Sequence, residues 1–189
     1  MRPSPSDYDV GSAMISACLR WIDRLSTGAA AIAAVCLVAM TVLMLGEVVA
    51  RSVFSRSLTF SWEFSSYLMG AAFFLSAGYG LRTGGQVRVT LLSEAVPPTV
   101  SRALDFFSTV VGIVVTLYIA YALCDMTYNS YKRDIVSFTP TETPLIIPQG
   151  VLALGAVLFF LQMVARFVRL VRDEPPDVQP GSTDIGTDQ

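Results

Sequence analysis

Four uncharged and largely apolar runs dominate the sequence, and short charged or polar segments separate them. The runs cover residues 26–46, 64–81, 106–124 and 145–165. An α-helix rises about 1.5 Å per residue, so each run would approach the roughly 30 Å thickness of a bilayer's hydrocarbon core. The pattern therefore predicts an all-α integral membrane protein. Its four transmembrane helices are expected over about 26–50, 60–81, 103–125 and 145–168.

The segments outside the runs complete the predicted domain organisation. Residues 1–12 are polar and rich in Pro and Ser, and residues 173–189 are acidic, so both are expected to be disordered tails. Residues 13–25 carry apolar side chains at helical spacing. They predict an N-terminal amphipathic segment at the membrane interface, with Trp21 at headgroup level. The membrane domain is therefore predicted over residues 13–172.

A cleaved signal peptide is the alternative interpretation of the first run. That run is longer than the apolar region of a signal peptide, and it is followed by Glu47, Arg51 and Arg56 rather than by a small-residue cleavage site. A retained transmembrane helix is therefore the favoured interpretation.

The distribution of Lys and Arg predicts the orientation of the chain. With the N-terminus inside, the outer segments hold four basic residues, Arg51, Arg56, Lys132 and Arg133. The inner segments hold nine, which are Arg2, Arg20, Arg24, Arg82, Arg88, Arg102, Arg166, Arg169 and Arg172. Because cytoplasmic loops carry the excess of positive charge, both termini are expected in the cytoplasm.

The composition agrees with a membrane protein and argues against metal binding, histidine catalysis and paired-cysteine chemistry. The chain is 53% hydrophobic and 15% charged, whereas soluble domains carry about 25% charge. It has no histidine, the commonest metal ligand and the usual general base near neutral pH. Its three cysteines form no CxxC pair and are expected to be small apolar fillers. We therefore expect no cofactor, no metal site and no nucleic-acid partner.

Ionisable residues are absent near the centre of every predicted span, where transport pathways and proton relays usually need them. There is also no pair of interrupted half-helices of the kind that builds substrate sites in transporters. The chain alone is therefore predicted not to select and move a charged solute, and not to be an enzyme. It is predicted to be a scaffold or accessory membrane subunit.

Charged residues at the span ends are the candidates for contacts. Glu47 and Arg51 stand four apart and can pair on one helical face. Glu63, beside Trp62, is expected either to be a wetted helix end or to pair with a partner subunit. On this ground the predicted partner or lipid interface comprises Trp62, Glu63, Arg82 and Arg88, and the family resemblance described next adds Arg51, Gly70 and Gln86.

These residues and their order resemble the small membrane subunit of tripartite ATP-independent periplasmic (TRAP) transporters, the DctQ type. That family has an Arg near the end of the first span, a Trp-Glu-Glu segment opening the second, a Gly-Ala pair, an Arg-x-Gly-x-His-Ile-x-Val-Asp segment and a Pro-rich step into the third. The matching positions are Arg51, Trp62-Glu63, Gly70-Ala71-Ala72, residues 82–89 and Pro97-Pro98, with Thr-Pro dipeptides at 139–140 and 143–144. Three positions depart from the family pattern, where Phe64 replaces a Glu, Gln86 a His and Thr90 an Asp.

The resemblance implies a function that composition does not show. A periplasmic binding protein captures a solute, often an organic acid, and a large multi-span subunit moves it inward, coupled to sodium. The small subunit binds the large one in the bacterial inner membrane and stabilises it, with membrane lipid as a further contact.

Three other functions stay open from the residues alone. A membrane anchor of another complex, such as a redox enzyme, would often bind haem through histidine, which is absent. A self-contained four-span carrier acting as a homodimer would need a membrane-embedded acid, for which only Glu47 is a candidate. A membrane enzyme would need a nucleophile and base, and none is evident.

Overall fold

Four helices make up most of the described part of the chain. The structure, a computed structural model, describes residues 5–55, 59–83, 98–139 and 141–172. The helices are α1 (Pro5–Phe54), α2 (Thr59–Arg82), α3 (Pro98–Lys132) and α4 (Ile146–Val171). Within those ranges the β-type pairing is one isolated antiparallel bridge, Val136 to Pro144. The all-α prediction is therefore confirmed.

Three of the four helices are long and apolar enough to cross a bilayer, as judged by length and composition. They are Ser16–Phe54, Ala103–Lys132 and Ile146–Val171. The 24 residues of α2 would rise about 36 Å, which is long enough. However, α2 carries four serines and two tyrosines and is not among the three. Its crossing of the membrane, and the side on which the termini lie, remain predictions.

All four helices are longer than predicted, α1 and α3 by the most. The first begins at Pro5, within the residues assigned to a tail, and continues through the predicted interfacial segment into the apolar run. A proline suits the first turn of a helix because its missing N–H has no partner there anyway. The third continues to Lys132, past the predicted end at 125, and Asn129 Nδ2 donates to the Asp125 carbonyl at 3.0 Å within this extension. Residues 1–4 and 173–189 of the predicted tails lie outside the described residues.

The fourth helix is central, because it contacts each of the other three, while α1 also packs against α2. Alanines line the contact between α1 and α2, and α4 closes over them. This core consists of Ala29, Ala33, Ala71, Ala72 and Leu75, with Cys36, Val151 and Leu158 packed against it. Small residues let helix backbones approach closely, which is the main source of helix association where lipid replaces water.

Gly155 marks the closest approach between α4 and α2. A Cβ atom built on Gly155 would lie 2.8 Å from both the backbone carbon and the Cβ of Phe74, and 3.0 Å from the nitrogen of Leu75. These are backbone atoms of another helix and cannot turn aside. The crossing of α2 over α4 therefore requires glycine at this position.

Candidate functional site

One end of the bundle holds a buried carboxylate, Asp23 of α1, which is 6% exposed. Two side chains of α4 bind it. Arg169 donates from Nη2 to Asp23 Oδ2 at 2.5 Å, and Gln162 donates from Nε2 to Asp23 Oδ1 at 3.2 Å. The same Gln162 nitrogen lies 3.3 Å from the Ile22 carbonyl oxygen, so α4 also binds the backbone of α1.

The last residue of α2 reaches the same carboxylate. Arg82 Nε lies 3.7 Å from Asp23 Oδ1, and Arg82 Nη1 donates to the Asp23 carbonyl at 3.4 Å and to Thr27 Oγ1 at 3.2 Å. Asp23, Arg82, Gln162 and Arg169 are called the Asp23 cluster below. The cluster joins three helices, and its one carboxylate faces two guanidinium groups, so it carries a formal charge of +1.

Tight backbone packing surrounds the Asp23 cluster. A Cβ on Gly78 would meet Ser26 Oγ at 3.0 Å and Gln162 Cγ at 3.3 Å. Ser26 is 1% exposed, and its hydroxyl oxygen has no hydrogen-bond partner among the described residues. The small side chains at these positions let α1, α2 and α4 come close enough for their long polar side chains to meet.

The opposite end of the bundle holds a second buried carboxylate, Glu63 of α2, which is 7% exposed. The hydroxyls of Thr139 and Thr141 both donate to Glu63 Oε2, and the Tyr67 hydroxyl donates to Glu63 Oε1 at 2.8 Å. Glu63, Tyr67, Thr139 and Thr141 are called the Glu63 cluster below. It attaches the loop between α3 and α4 to the start of α2.

The α3–α4 loop also has its own backbone hydrogen bonds. Ser137 N donates to the Thr143 carbonyl at 2.9 Å, and Leu145 N donates to the Ile135 carbonyl at 3.1 Å. Left-handed backbone at Glu142, with φ of 44°, helps the chain reverse. The described residues of this loop, 133–139 and 141–145, are therefore held by backbone hydrogen bonds outside any helix.

The predicted interface residues fall into two groups. Arg51 binds Glu47 at 2.7 Å, as the spacing of four predicts, and its side chain is 57% exposed; Trp62 is 62% exposed. Glu63 and Arg82 instead bind groups of this chain, and Gly70 faces α4, where a Cβ would lie 3.4 Å from Leu152 Cδ1. Gln86 and Arg88 lie outside the described residues. Whether any of these residues contacts a partner or lipid stays a prediction.

Sequence reasoning missed the Asp23 cluster. Asp23 fell within the predicted interfacial segment without a role of its own, and Arg169 was counted only among the basic residues of the inner segments. One signal could have identified Asp23: it stands at helical spacing with Leu19, Ser26 and Ala33, all of which are buried. An acid on the apolar stripe of a helix needs a partner from another element, because an unpaired buried charge is costly.

A long exposed apolar stripe runs along α1. Five residues recur at spacings of three and four along it and are 55–68% exposed: Val35, Val38, Val42, Leu45 and Val49. A second exposed stripe runs along α3 and contains larger, aromatic side chains. Its members are Phe107, Val114, Tyr118, Tyr121 and Tyr128. Both surfaces need to be covered, by lipid or by protein.

Residues 40–173 match the family model described as "Tripartite ATP-independent periplasmic transporters, DctQ component". The matched region includes the end of α1, all of the other three helices and the whole Glu63 cluster. It also includes Arg82, Gln162 and Arg169, but not Asp23. No curated protein matches the chain.

Proposed function

The chain belongs to the DctQ component family of tripartite ATP-independent periplasmic transporters, and from this premise we propose that it is the small, non-catalytic permease subunit. In this role it scaffolds a large, sodium-coupled membrane subunit. The solute is an organic-acid-like compound that a periplasmic binding protein delivers. The complex lies in the bacterial inner membrane.

The position of the buried polar groups supports a scaffold most directly. Among the described residues the buried acids are Asp23, Glu47 and Glu63, and each is bound by other groups of this chain near one end of the bundle. The core between α1, α2 and α4 is packed mainly from alanine and leucine, and the hydroxyl of the buried Thr116 of α3 donates to the Gly112 carbonyl of its own helix. A charged solute or ion crossing the bundle would need polar partners at that depth. The arrangement of buried groups therefore favours a scaffold over a transport pathway through this chain.

We propose that the α1 stripe, Val35, Val38, Val42, Leu45 and Val49, contacts the large subunit. Spacings of three and four place these side chains on one face, as in the seams of packed helices. Branching at Cβ leaves valine few rotamers to lose on packing. The aromatic stripe on α3 is the surface proposed to face lipid, since tyrosines prefer membrane interfaces.

The polar clusters support a topology with both termini in the cytoplasm. The Asp23 cluster brings together Asp23, about five turns into α1, and residues from the last turns of α2 and α4, as expected if each helix crosses once and reverses direction. In this arrangement α2 spans the membrane, and the α3–α4 loop faces the periplasm. The excess of Arg at the Asp23 end agrees with the cytoplasmic side.

Co-purification tests the scaffold role. A tag after Gln189 is added at the native locus, and the membranes are extracted in a mild detergent. The proposal expects a larger multi-span membrane protein in stoichiometric amount. Recovery of the chain as a stable homo-oligomer without such a protein would overturn the proposal and favour a self-contained carrier, in which Glu47→Gln should abolish transport.

Cysteine crosslinking tests the interface on the same complex. With Cys18, Cys36 and Cys124 replaced by Ala, single cysteines are placed at Val42 on α1 or at Val114 on α3, which are 63% and 62% exposed. A short photoactivated crosslinker attached at Val42→Cys should capture the large subunit, and the matched Val114→Cys probe should not. The reverse result would move the interface to α3.

Thiol labelling tests the topology. A membrane-impermeant maleimide should label Phe138→Cys in intact spheroplasts, because the side chain at this position is fully exposed in the α3–α4 loop. It should label Trp21→Cys, at the Asp23 end, only after permeabilisation. Labelling of both positions from the same side would contradict the proposed topology.

A further inference from the structure

An open groove of about 480 Å³ lies at the Glu63 end of the bundle, where α3 ends and α4 begins. Apolar side chains form part of its wall, and polar groups form the rest. Residues that line the groove include Met126, Ser130, Arg133, Ile135, Leu145 and Gln149. The scaffold role does not account for this groove.

Gln149 has an unsatisfied hydrogen-bond acceptor in the wall of the groove. The residue is 8% exposed, and its Oε1 is buried without a hydrogen-bond partner among the described residues. Leaving a buried acceptor unpaired carries its full desolvation cost. Gln149 lines the groove, so a turn of its side chain towards the groove would let a ligand N–H or O–H reach this oxygen and remove that cost.

Arg133 provides the positive charge at the groove. It follows the end of α3, and its backbone nitrogen donates to the Asn129 carbonyl at 3.1 Å, which holds the residue beside the helix. Its side chain is exposed, and in the described part of the chain no carboxylate forms an ion pair with it. A guanidinium presents several N–H donors in a plane and binds phosphate oxygens through two of them.

The frame of the groove is held by backbone hydrogen bonds. Ile135 N donates to the Ser130 carbonyl, Leu145 N to the Ile135 carbonyl, and Gln149 N to the Leu145 carbonyl, each at 3.1 Å. These bonds link the end of α3 to the start of α4 through the loop. A preformed site loses less free energy to ordering when it binds.

The groove lies at the level where lipid headgroups are expected. It opens between the ends of two candidate spans, Ala103–Lys132 and Ile146–Val171. Tyr128 and Tyr131, on the last turns of α3, are 61% and 67% exposed. Exposed tyrosines at the end of a span are typical of the headgroup region. An amphipathic molecule in the bilayer can therefore reach the groove from the side.

We infer that the groove binds one phospholipid whose headgroup donates hydrogen bonds, namely phosphatidylethanolamine. Its phosphate binds the Arg133 guanidinium, and its ammonium donates to Gln149 Oε1. The glycerol and the first acyl carbons lie against Met126, Ile135 and Leu145. Phosphatidylcholine carries the same phosphate and acyl chains, but its quaternary ammonium has no N–H and would leave Gln149 unpaired.

Native mass spectrometry of the purified protein, with any membrane subunit that co-purifies, tests this site. The sample is delipidated in detergent and given equimolar phosphatidylethanolamine and phosphatidylcholine with identical acyl chains. The wild-type chain should retain phosphatidylethanolamine with about a tenfold preference, the ratio expected from satisfying one buried acceptor. In Gln149→Leu the two lipids should bind equally.

A second test compares substitutions of two neighbouring exposed cations, so it changes no buried side chain. Arg133→Gln should weaken the binding of both lipids about tenfold, because the phosphate loses a charged donor. Lys132→Gln removes the neighbouring charge, which does not line the groove, and should change nothing. If both variants weaken binding equally, the interaction is general surface charge and the proposed site is wrong.

Other outcomes also overturn the proposal. Equal binding of the two lipids by the wild-type chain shows that Gln149 selects neither headgroup. A preference that survives Gln149→Leu places the selective site elsewhere. A crosslink from Met126→Cys to a co-purified subunit, with no lipid retained, identifies a protein segment as the occupant. The inference needs only a membrane location, so its failure leaves the co-purification test of the scaffold role unaffected.

Discussion

The two ends of the bundle each bury one carboxylate, but they compensate its charge differently. Asp23 is bound by guanidinium and amide groups from two other helices. Glu63 is bound by three hydroxyls, two of which come from a loop. The first arrangement fixes the relative positions of three helices. The second fixes the position of a loop.

This difference follows from the reach and charge of the partners. Arginine is long and keeps its charge when buried, so it can bind across a helix–helix contact and balance a carboxylate there. A threonine hydroxyl is short and neutral, so it must be brought close by its own backbone, and the α3–α4 loop does so. Loss of Asp23 should therefore weaken the whole bundle, whereas loss of the Glu63 charge should act locally.

The largest expected effect comes from Asp23→Ala. Removing the carboxylate takes away the acid that both Arg82 and Arg169 contact, at side chains 23% and 14% exposed. Breaking a buried ion pair by deleting one partner costs about 3–5 kcal/mol. We expect a loss of this size in the free energy of unfolding, measured by denaturant titration in detergent micelles.

Two further variants serve as controls for the Asp23→Ala measurement. Asp23→Asn keeps the shape of the side chain and should still lose much of the stability, because the charge is what balances the arginines. Asp125→Asn, at an exposed position where the acid bonds Asn129 of the same helix, should change stability little. Equal stability of the Asp23 and Asp125 variants would show that the Asp23 cluster does not hold the helices together.

The two arginines of the Asp23 cluster should contribute differently to the free energy of unfolding, because one lies closer to the carboxylate than the other. Arg169 Nη2 lies 2.5 Å from the carboxylate, whereas the nearest Arg82 approach is 3.7 Å. Arg169→Gln should therefore destabilise more than Arg82→Gln, by about 1 kcal/mol, roughly the difference of one charged hydrogen bond. The same denaturant titration measures both. A larger loss from Arg82→Gln would mean that its bonds to the Asp23 carbonyl and Thr27 matter more than the ion pair.

Substitution of two glycines of α2 compares the packing beside the Asp23 cluster with the packing nearer the Glu63 end. A Cβ at Gly78 would meet Ser26 Oγ at 3.0 Å, while a Cβ at Gly70 would meet the flexible end of Leu152 at 3.4 Å. Gly78→Ala should destabilise by about 1 kcal/mol through overpacking. Gly70→Ala should stabilise by about 0.5 kcal/mol through the usual preference of helices for alanine. Tm values of the two variants in detergent should therefore move in opposite directions.

The sequence predicted the features that depend on local spacing. The four helices follow from four apolar runs, and the contact of Glu47 with Arg51 follows from a separation of four residues on one helix. Such patterns need no knowledge of how helices cross. Even so, the continuation of α3 to Lys132 was missed, because the prediction ended the helix with the apolar run although no proline or glycine interrupts residues 126–132.

The two clusters depend on tertiary geometry, which the sequence pattern does not contain. Asp23 meets Gln162 and Arg169 across 139 and 146 residues, and Glu63 meets Thr139 across 76. Glu63 was expected to face water or a partner subunit. It is buried because a loop of this same chain folds over it.

The smallest effect on overall stability, and the most local one, should come from Glu63→Gln. The amide keeps the size of the carboxylate, but one of its two oxygens becomes an NH₂ group that cannot accept the threonine hydroxyls. The loop should loosen, and the Ser137 amide, which donates to the Thr143 carbonyl at 2.9 Å, should exchange with deuterium faster. Amides of α4 beyond Gly155 should keep the wild-type rate. Thr127→Val serves as the control, because the Thr127 hydroxyl bonds only the Leu123 carbonyl of its own helix in the described residues. If faster exchange in Glu63→Gln also extends through α4, the Glu63 cluster stabilises the bundle as the Asp23 cluster does, and the two ends do not differ in the way their partners suggest.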